Sequence, residues 1–263
     1  GNKYLKLKDY LQQELFRRRD IVITYDRAAG IQFRSPEMRK DFMASLSGYD
    51  ALHGTNFVNS VPKEPVKAFA ILENYIRIRL NDSKKIALII DYAETLVPAG
   101  TMNFFGAEDR QIAVFLQKWA KESLFLSSDM TIVLITENIG DLNQQIVRNP
   151  YTAEIPIEYP NEAERMEFIK YTVSKVPHLP AMMEMSTDVL GKNTAGVNLV
   201  QLQTLLAEIQ EARASFTFKE LNDRKKHIIE SEAAGLLEFV ETKYGLDSVA
   251  GHKYAKAHLR QAS

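Results

Sequence analysis

The chain has 263 residues, 33 Lys and Arg against 34 Asp and Glu, and a formal net charge of −1. At roughly 100–200 residues per domain this length allows one large or two modest domains. With 45% hydrophobic and 25% charged residues, disorder over most of it is excluded. No cysteine is present, which rules out disulfides, thiolate metal sites and a cysteine nucleophile. The balanced charge argues against a dedicated nucleic-acid binder. The longest apolar runs, residues 86–91 and 130–136, fall far short of the about 20 residues a membrane span needs. No apolar signal segment follows Lys3, Lys6 and Lys8. The sequence therefore reads as a soluble, cytoplasmic protein without membrane or nucleic-acid partners, and Gly1 without an initiator Met reads as a cut edge.

In chain order, residues 4–19 (YLKLKDYLQQELFRRR) predict a helix from the spacing of Tyr4, Leu7, Leu11, Leu15 and Phe16. Residues 21–25, short and β-branched, predict a buried strand. A turn containing Gly30 leads to Ser35-Pro36-Glu37, with Ser as N-cap and Pro at the first helical position, opening a helix to about residue 46. Residues 47–65 hold Gly48, Gly54, Pro62 and Pro65 and read as a loop. An amphipathic helix over 66–80 precedes a second buried strand at 86–91. A helix over 108–126 carries the single tryptophan, Trp119. A third strand at 130–136, a short helix over 141–148 and a fourth strand at 153–159 follow.

Buried strands without alternation, separated by helices, signal a parallel sheet covered on both faces. Beyond residue 161 only helices are predicted, over 161–176, 196–214 and 218–240. The expected organisation is an α/β core over 1–160, a helical segment over 161–216, and a long charged helix leading into a further segment over 217–263.

The chemistry concentrates in residues 84–98, KKIALIIDYAETLVP. An acidic residue at the C-terminal edge of an apolar strand is where doubly wound folds place a metal or nucleotide ligand. In a nucleoside triphosphatase that Asp orients the Mg²⁺ shell, and an adjacent Glu polarises water. Here Asp91 is followed by Tyr92, and the next acid is Glu94. The alternative role for Asp91 is a cap for the segment that follows. The next strand runs into Thr136-Glu137-Asn138, where a γ-phosphate sensor would sit, and Arg148 ends the short helix beyond it. Taken alone, Arg148 reads as a solvated helix-end charge.

That order resembles the core of AAA+ ATPases: apolar strand with terminal Asp, helix, strand running to Asn, short helix with a C-terminal Arg, strand. Two further stretches match it. Pro160 to Arg165 is similar to the family's "Pro-x-x-x-x-Arg" entry to its helical lid, and Thr194 to Leu202 to the lid motif "T-x-G-x-x-x-x-x-L". The resemblance covers about residues 84–215. It implies a P-loop NTPase-like core with an all-helical lid, vestigial catalytic positions at Asp91, Glu94, Asn138 and Arg148, ring assembly as a homo-oligomer, and a polypeptide substrate. It also implies an aromatic pore loop near Phe104 and Phe105, although those rings packing beneath their own loop is an equal reading.

The phosphate loop of that family is missing. Cradling phosphates takes a Gly-rich turn followed by Lys and Ser/Thr, which supplies successive backbone N–H groups and an ammonium. The single Gly-Lys pair, Gly191-Lys192, lies after every predicted strand and has Ser186 where the first Gly belongs. After the first strand the chain reads Asp26-Arg27-Ala28-Ala29-Gly30-Ile31, with no Lys before Lys40. The five histidines include no i,i+4 pair, which argues against zinc. The tail around Asp247, Gly251, Lys256, Leu259 and Arg260 resembles the opening of a second AAA+ module, in which Val249, Ala250 and Gly251 would lie against adenine. A surface helix is its alternative.

The reading that results is a non-catalytic, degenerate first module of a tandem AAA+ protein, cut just inside its second module. ATP and Mg would be bound by the full-length protein, an ATP hydrolase, and not tightly by this part. The competing expectations are an active ATPase with an unorthodox phosphate site using Arg27 or Lys40, and a nucleotide-independent α/β interaction domain.

Overall fold

A computed structural model describes residues 4–100, 106–211, 215–232, 254 and 256. Phe104, Phe105, Asp247, Val249, Ala250, Gly251, Leu259 and Arg260 lie outside the described residues. The chain divides into two compact units, Gly1–Ile155 and Pro156–Ser263.

The first unit is built on a sheet of four strands: β1 (Ile21–Asp26), β2 (Gly30–Phe33), β3 (Ile86–Ile90) and β4 (Met130–Leu134), in the order β2-β1-β3-β4. β1, β3 and β4 are parallel, with Ile21 opposite Ile86 and Ile86 opposite Met130. All five positions of β3 are buried, as continuous apolar strands require when both faces are covered. On one face lie α2 (Pro36–His53), α3 (Pro65–Asn81), α4 (Ala107–Lys121) and the short α5 (Ser123–Ser127). Their core is aromatic: Trp119 stacks on Phe69 at 5.4 Å and on Phe125 at 5.8 Å between ring centroids. On the other face, among the described residues, lies the N-terminal segment, α1 (Leu7–Tyr10) continuing as a π-turn over Leu11–Leu15. It buries Leu11 and Phe16 against Val22, Ala87 and Ile89. At about 1.5–3 kcal/mol per buried large side chain, two anchors hold it.

Several sequence expectations change. The Gly30 turn is a hairpin: β2 runs antiparallel to β1, pairing Tyr25 with Ile31 and Asp26 with Gly30. Gly30 sits at φ +75°, a left-handed conformation that costs glycine little. Its four-residue strand was too short to give a sequence signal. The helix expected to end near residue 46 runs on to His53 and stops at Gly54, which takes φ 64° at the C-cap. Gly48, inside this helix, is no breaker; the left-handed termination falls to Gly54 instead. The long helix expected over 108–126 breaks at Glu122, whose extended backbone separates α4 from α5. Residues 153–159 form no strand. Ile155 and Ile157 are 80% and 72% exposed; Pro156 and Pro160 remove two ladder donors there, and β2 already occupies the edge of β1.

The second unit is helical. After α6 (Gln144–Val147), which closes the first unit, come α7 (Glu162–Lys175), α8 (Thr187–Asn193), α9 (Leu199–Glu211) and α10 (Phe218–Glu232). Asn161 opens α7 with a reciprocal cap: its Oδ1 accepts from the Glu164 N–H at 3.0 Å, and the Glu164 carboxylate accepts from the Asn161 N–H at 2.8 Å. No strand occurs among the described residues of this unit; a single bridge joins Met183 to Phe216.

Candidate functional site

The C-terminal ends of β1 and β3 bring Asp26 and Asp91 to the same edge of the sheet, since Tyr25 pairs with Ile90 in the parallel register. A third residue arrives from far away in sequence. Lys8, on α1, places its Nζ 3.0 Å from Asp91 Oδ2 and 3.9 Å from Asp26 Oδ2. The two carboxylate side chains are only 14% and 16% exposed. Asp91, accepting from Lys8, holds that ammonium above the usual lysine value against the opposing cost of burial, with the charges of Asp91 and Asp26 adding to the effect.

Asp26 also organises the turn that follows. Its Oδ1 accepts from the Ala28 N–H at 3.0 Å and the Ala29 N–H at 2.6 Å. The amides that a phosphate loop would point at a ligand are thus turned onto the chain's own carboxylate. The Ala28 carbonyl accepts from Lys63 Nζ at 2.9 Å. Arg27 is paired with Glu108, and Lys40 lies exposed on α2. Tyr25, whose hydroxyl donates to the Lys63 carbonyl at 2.8 Å, has its phenol pushed up to about 12 by burial.

At the end of β3 the chain turns sharply through Tyr92, a non-glycine residue at φ 53°, a conformation uncommon outside glycine, Asn and Asp. Glu94 follows in a 3₁₀ turn (Ala93–Thr95), with its Oε2 buried and without a hydrogen-bond partner among the described residues. The Asp91 Oδ1 accepts from the Tyr92 N–H at 3.2 Å, so Asp91 both caps the turn locally and binds Lys8. Asn138 lies beyond β4, where its Oδ1 caps a 3₁₀ turn (Ile139–Asp141) by accepting from the Gly140 N–H at 2.9 Å. Arg148 is the exposed C-cap of α6. Among the described residues, no group of three His, Asp or Glu is arranged to hold a metal ion.

The residues that decide this edge, Lys8 and Asp26, carried no motif. Asp26 read as part of a turn, and Lys8 as a polar position on an N-terminal helix; their meeting depends on how α1 crosses the sheet.

A family model described as "AAA+ chaperone, N-terminal Rossmann-like domain" matches residues 1–158. The chain belongs to the AAA+ chaperones. A second model, "AAA+ chaperone, second helical domain", matches residues 163–234. No curated protein sequence matches it. Among solved structures, a chain of the HORMA:CdnC:Trip13 complex from E. coli MS115-1 aligns with a TM-score of 0.46 at 15% identity, over 61% of this chain and 56% of that one. This chain therefore spans little more than half of that relative.

Within the AAA+ chaperone's second helical domain, the Arg of the Pro160–Arg165 motif has a structural task. Arg165 is 5% exposed. Its Nε donates to the Gly191 carbonyl at 3.1 Å and its Nη1 to the Pro160 carbonyl at 2.6 Å. It thereby ties the start of α7 to the last turn of α8. Gly191 itself is closely packed: a Cβ there would stand 2.6 Å from Met166 Cγ, and that side chain would have to shift. The Gly191-Lys192 pair is part of helix α8 and bears no likeness in shape to a phosphate loop. Among the described residues no helix is long and apolar enough to cross a membrane.

Proposed function

We propose that this chain is a non-catalytic AAA+ module, serving ring assembly and coupling in an ATP-driven protein-remodelling machine whose ATP and Mg are held elsewhere in the full-length protein. The observation that carries this reading is the fate of the turn after β1. Its amides donate to Asp26, and the position facing Asp26 and Asp91 is taken by the ammonium of Lys8. A nucleotide brings several negative charges and needs preorganised donors and a cation. Here the donors are committed to a carboxylate, and the two acids would repel phosphate were Lys8 displaced. The residues present therefore do not fit Mg-nucleotide.

The unorthodox-site alternative is weakened by the same contacts, since Arg27 is paired with Glu108. Arg148, exposed at the end of α6, is the residue this reading offers to a neighbouring subunit of a homo-oligomer. A polypeptide is the expected substrate of the whole machine.

Equilibrium titration with a fluorescent ATP analogue and Mg²⁺ is expected to show no saturable binding to this chain. Phosphate release is expected only from a longer chain carrying the downstream module. Micromolar analogue affinity for the chain alone would overturn the reading.

A further inference from the structure

One face of the sheet is covered by a segment with few intrinsic reasons to stay folded. α1 is four residues long and has no side-chain N-cap, and isolated helices of that length do not persist in water. Leu7, Tyr10 and Leu15 are 38%, 48% and 57% exposed, so the segment's buried apolar contacts come from Leu11 and Phe16.

Its two ends are fixed differently. At the C-terminal end Arg34 donates from Nη1 to the carbonyls of Gln12 and Phe16, at 3.3 and 2.8 Å, and from Nη2 to that of Arg19 at 3.1 Å. Those are three bonds from one planar group to the backbone. Towards the other end Lys8 makes an ionic tie to Asp91 and Asp26.

We propose that the N-terminal segment is a strap, hinged at Arg34 and closed by Lys8 as an ionic clasp on Asp26 and Asp91, whose release uncovers the apolar sheet face of Val22, Ala87 and Ile89. The physical case is an asymmetry of mutual need. Two largely buried carboxylates on adjacent strand ends repel each other, and among the described residues Lys8 is the cation that pairs with them within 4 Å. Lys8 relieves both at once, and in doing so pins a segment that propensity alone would leave frayed. The strap deepens the proposed function, resting on it only in that Lys8, and not nucleotide, neutralises the two acids.

Amide hydrogen exchange on the whole chain tests this, reading the N–H groups of Tyr10 and Phe16, which bond to Lys6 and Leu11 carbonyls in the closed strap, against the β3 amides as an internal standard. Lys8→Met is expected to lower protection of Tyr10 roughly tenfold or more, the size expected for a charge-assisted bond, while Phe16, held at the Arg34 hinge, changes much less and β3 is unchanged. Lys8→Arg should retain protection. Lys8→Met and Asp91→Asn should not add when combined, because both cut the same tie. Added salt should loosen the strap in the wild-type chain and have no effect in Lys8→Met.

Unchanged protection in Lys8→Met, additive losses in the double variant, or an equal salt response in both chains would each overturn the clasp. Exchange reads the strap whether or not nucleotide binds, so failure here and failure of the non-catalytic reading are distinguishable.

Discussion

Trp119→Ala is expected to destabilise the first unit by about 3–5 kcal/mol, the range for removing a large aromatic from a packed core. Trp119 is 1% exposed and lies nearly parallel to both neighbours, at 5° to Phe69 and 8° to Phe125. It therefore forms the middle layer of a stack that joins α3, α4 and α5. Deleting it removes transfer energy, three ring contacts (a tilted one with Phe115 as well as the two stacks) and the dispersion partners of Phe69 and Phe125, and the flanking helices can collapse only partly into the gap. A control follows from the indole Nε1, which is buried without a hydrogen-bond partner among the described residues. Trp119→Phe discards that unsatisfied donor and keeps an aromatic layer, so its loss should be well under half that of alanine. Urea unfolding followed by circular dichroism checks both, since the single tryptophan cannot serve as the probe. A loss below about 1 kcal/mol for Trp119→Ala would mean the stack does not organise this face.

Arg165→Ala is expected to destabilise the second unit by about 2–3 kcal/mol, because two carbonyls lose a charged donor at once. The Gly191 carbonyl belongs to the last turn of α8, where helix carbonyls have no intrahelical partner and a cation also complements the dipole. Arg165→Lys should recover little. An ammonium is a point donor, whereas the guanidinium reaches Gly191 from Nε and Pro160 from Nη1 simultaneously. Thermal unfolding of the chain, with exchange protection read separately in α7–α8 and in β1–β3, localises the effect. Equal losses in both units, or full rescue by lysine, would contradict a fork-shaped tie confined to the helical unit.

These two residues show what the sequence disclosed and what it hid. β1 and β3 were legible because buried parallel strands are almost continuously apolar, β4 because its short β-branched run reads the same way although it is only half-buried, and the start of α7 because Asn161 and Glu164 satisfy each other within four residues. Arg165 was legible as a motif position, yet its task was not, since its partners include a carbonyl on a different helix. β2 was invisible because four residues carry too little alternation. Residues 153–159 carried a strand pattern that the fold does not use, since that edge of β1 is already paired. At the site, Asp91 was found from its place at a strand end, whereas Lys8 had no signal at all: its partnership is made by the crossing of α1 over the sheet.

The hairpin after β1 sets the route of the chain at the very place where a phosphate loop would have to form. Phosphate-gripping loops work because the strand hands over directly to a helix whose first amides face outward along the axis. Here the chain doubles back into Gly30–Phe33 and no helix begins until Pro36, on the far side of an added strand. Substituting Gly and Lys into residues 26–31 would therefore alter composition without altering connectivity. Presenting outward-facing amides there would demand re-routing the backbone, a larger step than point mutation can supply.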